Sequence, residues 1–160
     1  TYATFEIDHM GTSTNRARFD KKEGTVEFDR AAKTGKVDIS LDMSSVNSGF
    51  ANFNKHLQSK DIFDAEQFPK ARFVSDKFVF DGDKVTEVQG QLTLKGKTAP
   101  VTFKANKFNC YPSPMLQKRE VCGGDFTAVI DRSQWGVNYG SNFGMPNDVR
   151  VVIQIEAVKQ

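Results

Sequence analysis

Apolar residues recur at every second position along most of this 160-residue chain. That period belongs to half-buried strands, whose successive side chains face opposite ways. Phe5 and Ile7 alternate with Glu6 and Asp8, Val26 and Phe28 flank Glu27, and Val37, Ile39 and Leu41 alternate with Asp38 and Ser40. Phe78 and Phe80 follow Phe73 across an irregularity expected near Asp76, and Val88, Leu92 and Leu94 share parity with Gly90 between them. The runs Val101-Phe103-Ala105, Phe126-Ala128-Ile130 and Val149-Val151-Ile153-Ile155 complete the series. Short turn signals, Lys22-Glu23-Gly24, Lys33-Thr34-Gly35, Asp81-Gly82-Asp83 and Lys95-Gly96-Lys97, separate many of them and favour antiparallel neighbours. About eight strands result, each with one apolar face. A closed barrel and a two-sheet sandwich both satisfy that pattern.

A single domain over residues 1–160 is expected at this length. Phe supplies 14 aromatic residues against three Tyr and one Trp. Phe has no polar handle, so an interior rich in it suits either an apolar cavity or a solid core. With 22 basic and 20 acidic residues, there is no concentrated positive charge of the kind nucleic acid requires. No P-loop, nucleophile elbow or zinc spacing is present. The carboxylates Asp61, Asp64 and Glu66 lie close together but lack the calcium-loop pattern. Neither an enzyme nor a metal centre is expected from these residues. Cys110 and Cys122 flank YPSPMLQKREV, which reads as a loop between two strands. A disulfide there would staple a hairpin; the alternative is two free buried thiols.

One segment departs from the strand period. Phe50, Phe53 and Leu57 fall at i, i+3 and i+7, one stripe of a helix. The spacing predicts a helix over 49–59 that packs Phe53 and Leu57 toward the interior or its opening. His56, near its end, is expected to cap or dock it. The stretch Asn138 to Asp148 reads as a loop whose Tyr139, Phe143 and Met145 either rim a cavity or tuck onto the core. His9 shares parity with Phe5 and Ile7.

Several spaced motifs then resemble the YceI-like family of bacterial lipocalin-fold proteins. They are Gly49, His56-Leu57-Gln58-Ser59, Asp61-Ile62-Phe63-Asp64, Phe68-Pro69 and Phe73-Val74-Ser75. Downstream come Gly90 through Thr98, the run Asp131-Arg132-Ser133-Gln134-Trp135-Gly136-Val137, and the strand Val149 to Ala157. His9 and Gly11 match a further element. Where many relatives carry an Arg-Asp pair before the His-Leu, this chain has Phe53-Asn54. Arg132 and Trp135 are read as a strand-end brace.

The resemblance implies an all-β fold, an antiparallel eight-stranded lipocalin-like barrel with one short α-helix as lid or plug. It implies a long-chain polyisoprenoid ligand, ubiquinone-like, with no catalytic cofactor. The inward set, Val37, Ile39, Phe78, Phe80, Leu92, Leu94, Val101, Phe103, Phe126, Ile130, Val151 and Ile153, joined by Phe53 and Leu57 of the helix, is then expected to line an apolar channel. His9 is the candidate head-group contact. Family members are typically exported to the periplasm, which favours a Cys110–Cys122 bridge and suggests that the mature protein begins before Thr1. Lys and Arg stems flanking the barrel mouth suit either a transient membrane contact or a solvated face, and the resemblance allows a homodimer. A rigid interaction module with a filled core is the competing function.

Overall fold

A computed structural model describes residues 1–160. The strands are β1 (Tyr2–His9), β2 (Ser13–Phe19), β3 (Lys22–Asp29), β4 (Thr34–Asp42), β5 (Val46–Asn47), β6 (Lys70–Asp81), β7 (Lys84–Leu94), β8 (Lys97–Pro112), β9 (Glu120–Asp131) and β10 (Asp148–Val158), with one helix, α1 (Ala51–Gln58). All strands belong to one antiparallel sheet of order β3-β4-β6-β7-β8-β9-β10-β1-β2-β5. The sheet curls about its own apolar face as a lipocalin-like half-barrel, because that face has no other layer to cover it.

The strand count is ten rather than the expected eight. The two additions are β2 and β5. In β2, Asn15, Ala17 and Phe19 point inward while Arg16 and Arg18 point out. Small and polar inward residues leave no apolar alternation to read. The two-residue β5 pairs Asn47 with Arg18 and Val46 with Phe19, a run too short to carry any period. The irregularity near Asp76 is a register shift between Val74 and Lys77, and a second one follows between Val79 and Phe80.

The curl does not close through backbone hydrogen bonds. Strand β3 pairs only with β4. Side chains bridge its free edge to the far side of the sheet. Arg30 donates to both Glu120 oxygens at 2.9 and 2.7 Å, Phe28 packs edge-on against Phe108 with centroids 6.0 Å apart, and Lys22 Nζ lies 6.0 Å from the Tyr2 ring. Charged Lys22, Glu23, Glu27 and Asp29 on this exposed edge discourage pairing with another chain.

Helix α1 spans 51–58, within the expected 49–59. Leu57 is buried among Ala17, Phe19, Met43, Val46, Phe63, Ala65 and Ala71, and Phe5, Phe19 and Phe63 form a ring triangle with 6.0 Å separations. Phe50 does not join the stripe. It is the N-cap, with extended backbone (φ −122°, ψ 117°), and its ring is 74% exposed. Asn54 folds back to accept from the Ser48 backbone N–H at 2.7 Å, so a neutral amide ties the chain entering the helix.

Two glycines let rings lie flat on the inner wall. A Cβ at Gly35 would sit 2.2 Å from the Phe78 ring, and one at Gly90 would sit 2.4 Å from the Val74 carbonyl oxygen and 2.6 Å from the Phe73 ring. Gly90→Ala should therefore destabilise the fold by about 1–3 kcal/mol through overpacking. A lower urea midpoint with unchanged m would register this.

Cys110 and Cys122 sit directly opposite each other in the β8–β9 ladder and form a disulfide. The pairing of β8 and β9 extends to Pro112 and Glu120, so the loop is shorter than the sequence suggested. Closing this short loop contributes about 2–3 kcal/mol in the chain-entropy account. Cys110→Ala with Cys122→Ala should lower the unfolding free energy by that amount, measured by denaturant titration. Intact mass should rise by two hydrogens on reduction of the unmodified protein.

Candidate functional site: an apolar cavity with a polar mouth

The curled sheet encloses a cavity of about 1050 Å³, and 37 of its 51 wall residues are hydrophobic. That volume stands at the top of the roughly 300–1,000 Å³ range of small-molecule sites. The walls explain an otherwise odd burial pattern. Phe73, Phe78, Phe103, Ile39, Ile153 and Ile155 point inward yet are only half-buried, because they border this space instead of interlocking across it.

The structure brings nearly all of the expected lining together. Val37 and Ile39 of β4, Phe78 of β6, Leu92 and Leu94 of β7, and Val101 and Phe103 of β8 are wall residues. So are Phe126 and Ile130 of β9, Val151 and Ile153 of β10, and Phe53 and Leu57 of α1. Phe80 alone of the set does not border the open space. The extra residue at the register shift after Val79 lies in β7, so Phe80 stays opposite Val85 on the inner face. It packs on the far-end apolar cluster with Lys33 Nζ 6.0 Å from its centroid. The list also missed Phe5, Phe19, Phe28, Phe73 and Phe108, which line the wall. Phe5, Phe28 and Phe73 had the right parity. Phe19 and Phe108 sit, respectively, in the unread strand β2 and beyond a third irregularity, at Ala105/Lys107.

One end of the cavity is polar. His9, Asn15, His56, Arg132 and Tyr139 are wall residues there, beside Phe143 and Met145. His56 does not cap the helix; Ser59 does, its N–H and hydroxyl donating to the His56 carbonyl at 3.1 and 2.6 Å. The His56 imidazole docks edge-on against Tyr139, centroids 4.6 Å apart, and Tyr139 meets Phe143 at 5.9 Å. The segment 138–148 thus forms the rim of the mouth, the first of its two expected readings. His9 lies at the exposed end of β1 on the same rim.

The Asp131–Val137 turn underpins this rim. Asp131 accepts from the Ser133 N–H at 2.9 Å and hydroxyl at 2.6 Å, which holds its carboxyl below the usual carboxylate range. Trp135 is 1% exposed, and its indole N–H donates to the Leu92 carbonyl at 2.9 Å. Trp135 is the brace expected of it. Arg132 is more than that. Its Nε donates to the Pro146 carbonyl at 2.9 Å and its Nη2 to the Ser141 hydroxyl at 3.4 Å. It is 7% exposed, and burial pulls its pKa down against the opposing field of Asp131.

Known proteins share both sequence and fold with this chain. The YceI-like domain matches residues 1–157. A UPF0312 protein of Pseudomonas putida is 31% identical over 160 residues, spanning 99% of this chain and 81% of that protein. The Burkholderia cenocepacia BcnA crystal structure superposes with a TM-score of 0.75 at 24% identity, over 98% of this chain and 96% of that one. A polyisoprenoid binding domain from Saccharophagus degradans superposes with a TM-score of 0.65 at 12% identity, over 99% and 94%. With its ten-stranded curl, single helix and motifs in order, this chain belongs to the YceI-like family.

Proposed function

We propose that this protein binds a long-chain isoprenoid lipid, with an isoprenoid-quinone tail as one such chain, along the apolar cavity. Its role on this reading is carriage, storage or sequestration, not turnover. The observation that carries the reading is the wall itself: about 1050 Å³ bordered mainly by Phe, Val, Ile and Leu. Burial of each CH₂ contributes ~0.8 kcal/mol, so about twenty carbons would give a gross ~16 kcal/mol. Ordering the chain offsets much of that, and the remainder still means slow release. The fold neighbour described as a polyisoprenoid binding domain supports the same ligand class.

We further propose a bacterial periplasmic location, which the disulfide supports because such bonds persist in oxidising compartments. A transient membrane contact at the mouth accompanies this function. Met10, Phe50, Tyr139 and Phe143 are exposed at 51%, 74%, 43% and 55%. Lys55 and Lys60, beside and within reach of the His56 end of α1, are exposed. Apolar tips with basic neighbours suit an anionic lipid surface.

Phe103→Arg places a charge midway along the wall, where it is costly, and should abolish lipid retention; Leu94→Arg, at the end of β7 beneath the helix, should do the same. Thr102→Arg, on the outward face of β8, should leave retention intact. Organic extraction and mass spectrometry of each folded variant, with circular dichroism as the control, tests the pair. Loss in both, or in neither, sinks the cavity assignment, and a wild-type extract without lipid favours a filled interaction module instead.

A further inference from the structure

We infer that Cys110, Glu120 and Cys122 form a redox-gated site for a thiophilic divalent cation, with zinc as the type. The disulfide closes the site, and cleavage by a dithiol reductant opens it.

The strand ladder assembles the three donors. Cys110 and Cys122 stand opposite each other in β8 and β9. Glu120 lies two residues before Cys122 in the same strand, so the two side chains share a face. Both sulfurs and a Glu120 carboxylate oxygen lie within 4.8 Å of one another. The second sulfur arrives from the neighbouring strand, so no metal-binding motif appears along the chain. The cluster sits at the end of β9 opposite the Asp131 rim, away from the polar mouth.

The spacing fits zinc. Bonds of about 2.3 Å to a thiolate and about 2.1 Å to a carboxylate oxygen, set at the tetrahedral angle, hold sulfur and oxygen about 3.6 Å apart. Cys122 Sγ already stands 3.8 Å from Glu120 Oε1. The edge still lacking in the oxidised protein is a wider gap between the two sulfurs, and cleaving their bond releases it. Three protein ligands leave a fourth position for water. Thiolate donors select zinc over magnesium or calcium.

Charge balances as well. Two thiolates and one carboxylate carry three negative charges; zinc supplies two positive charges and Arg30 the third. Arg30 donates to Glu120 Oε2 at 2.7 Å and to Oε1 at 2.9 Å. Oε2 can therefore keep the guanidinium while Oε1 turns to the metal, and an outer partner of this kind orients a ligand. Glu120 and Cys110 are half-buried and Cys122 is 7% exposed, which limits competition from bulk water.

The gate is the chemistry of sulfur. A thiolate is the metal ligand, and the disulfide contains none. A reductant thiolate attacks the Cys110 sulfur, the less buried of the two, and Cys122 leaves. The reductant's second thiol then displaces Cys110 from the mixed disulfide. Two electrons and two protons have passed to the cysteines, and the reductant ends as its own disulfide. Binding the cation releases the two thiol protons. A disulfide oxidant reverses the sequence and expels the metal. The chain is synthesised with free thiols, so each molecule passes through the metal-binding form before its bridge is made.

The test uses the full chain, reduced with a phosphine and desalted without oxygen. It is titrated with zinc in competition with the chromophoric chelator 4-(2-pyridylazo)resorcinol. The reduced wild type should bind one zinc per chain, and the oxidised protein none. Glu120→Gln should weaken binding by at least about tenfold, the scale for losing even a supporting group, and Cys110→Ser should abolish it. Zinc should also slow alkylation of both cysteines in the reduced wild type. Stoichiometry well below one, equal binding by the oxidised protein, or full affinity in Glu120→Gln overturns the assignment, the last because a bare dithiol would then account for the metal. Should reduction alone unfold the chain, zinc must restore the far-ultraviolet circular dichroism of the oxidised protein, since a cation held only by the folded trio stabilises it. Failure to restore it overturns the assignment equally.

Discussion

The contact between a large aromatic ring and a bare backbone is what keeps this barrel hollow. An apolar sheet curled on itself would ordinarily fill its centre, since side chains interlock to crystal-like density. Here Phe78 lies against Gly35 and Phe73 against Gly90. With no Cβ beneath them, the rings settle onto the wall instead of reaching across the bore. Phe73 also meets Phe103 edge-on, centroids 5.1 Å apart, so neighbouring rings support one another along the wall. Density is concentrated instead under α1, where Met43, Val46, Leu57 and Phe63 are nearly fully buried, and around Trp135. The protein has solid ends and flanks around a soft-lined interior.

Much of this was legible because period-two alternation is a local signal. Strands β4, β7 and β10 announce their inward faces residue by residue, and the helical spacing of Phe53 and Leu57 stands out against that background. Legibility failed where the local signal was weak or displaced. Strand β2 carries Asn15 and Ala17 where a Val or Ile would have advertised an inward face. Phe80 has the inward parity but packs on Val85 and its neighbours instead of bordering the cavity, a distinction that parity does not carry. Phe108 lies beyond a bulge at Ala105/Lys107, and bulges are set by the pairing partner, which a single strand's sequence does not contain.

The mouth was legible only in fragments. Tyr139, Phe143 and Met145 were visible as unusually apolar residues for a loop, and His56 as a helix-end residue. Their convergence required the fold, since the His56–Tyr139 contact joins residues 83 positions apart along the chain (139 − 56). Arg132 was the hardest to read. Basic residues beside strand ends are common and usually solvated, and nothing local separates a solvated arginine from one that is buried with neutral partners.

The unladdered edge of β3 bears on the mechanics of the barrel. A cylinder closed by a hydrogen-bonded ladder has a fixed girth, because widening it breaks backbone bonds whose buried ends would then go unsatisfied. Here the circumference ends at a seam held by one ion pair, one ring contact and one cation resting near a tyrosine. Exposed pairs of this kind are worth about 0–1 kcal/mol each, and they can lengthen or re-form with intervening water. The seam therefore acts as an expansion joint: the bore can widen around a bulky or branched chain and draw in around a slender one while every backbone ladder stays intact.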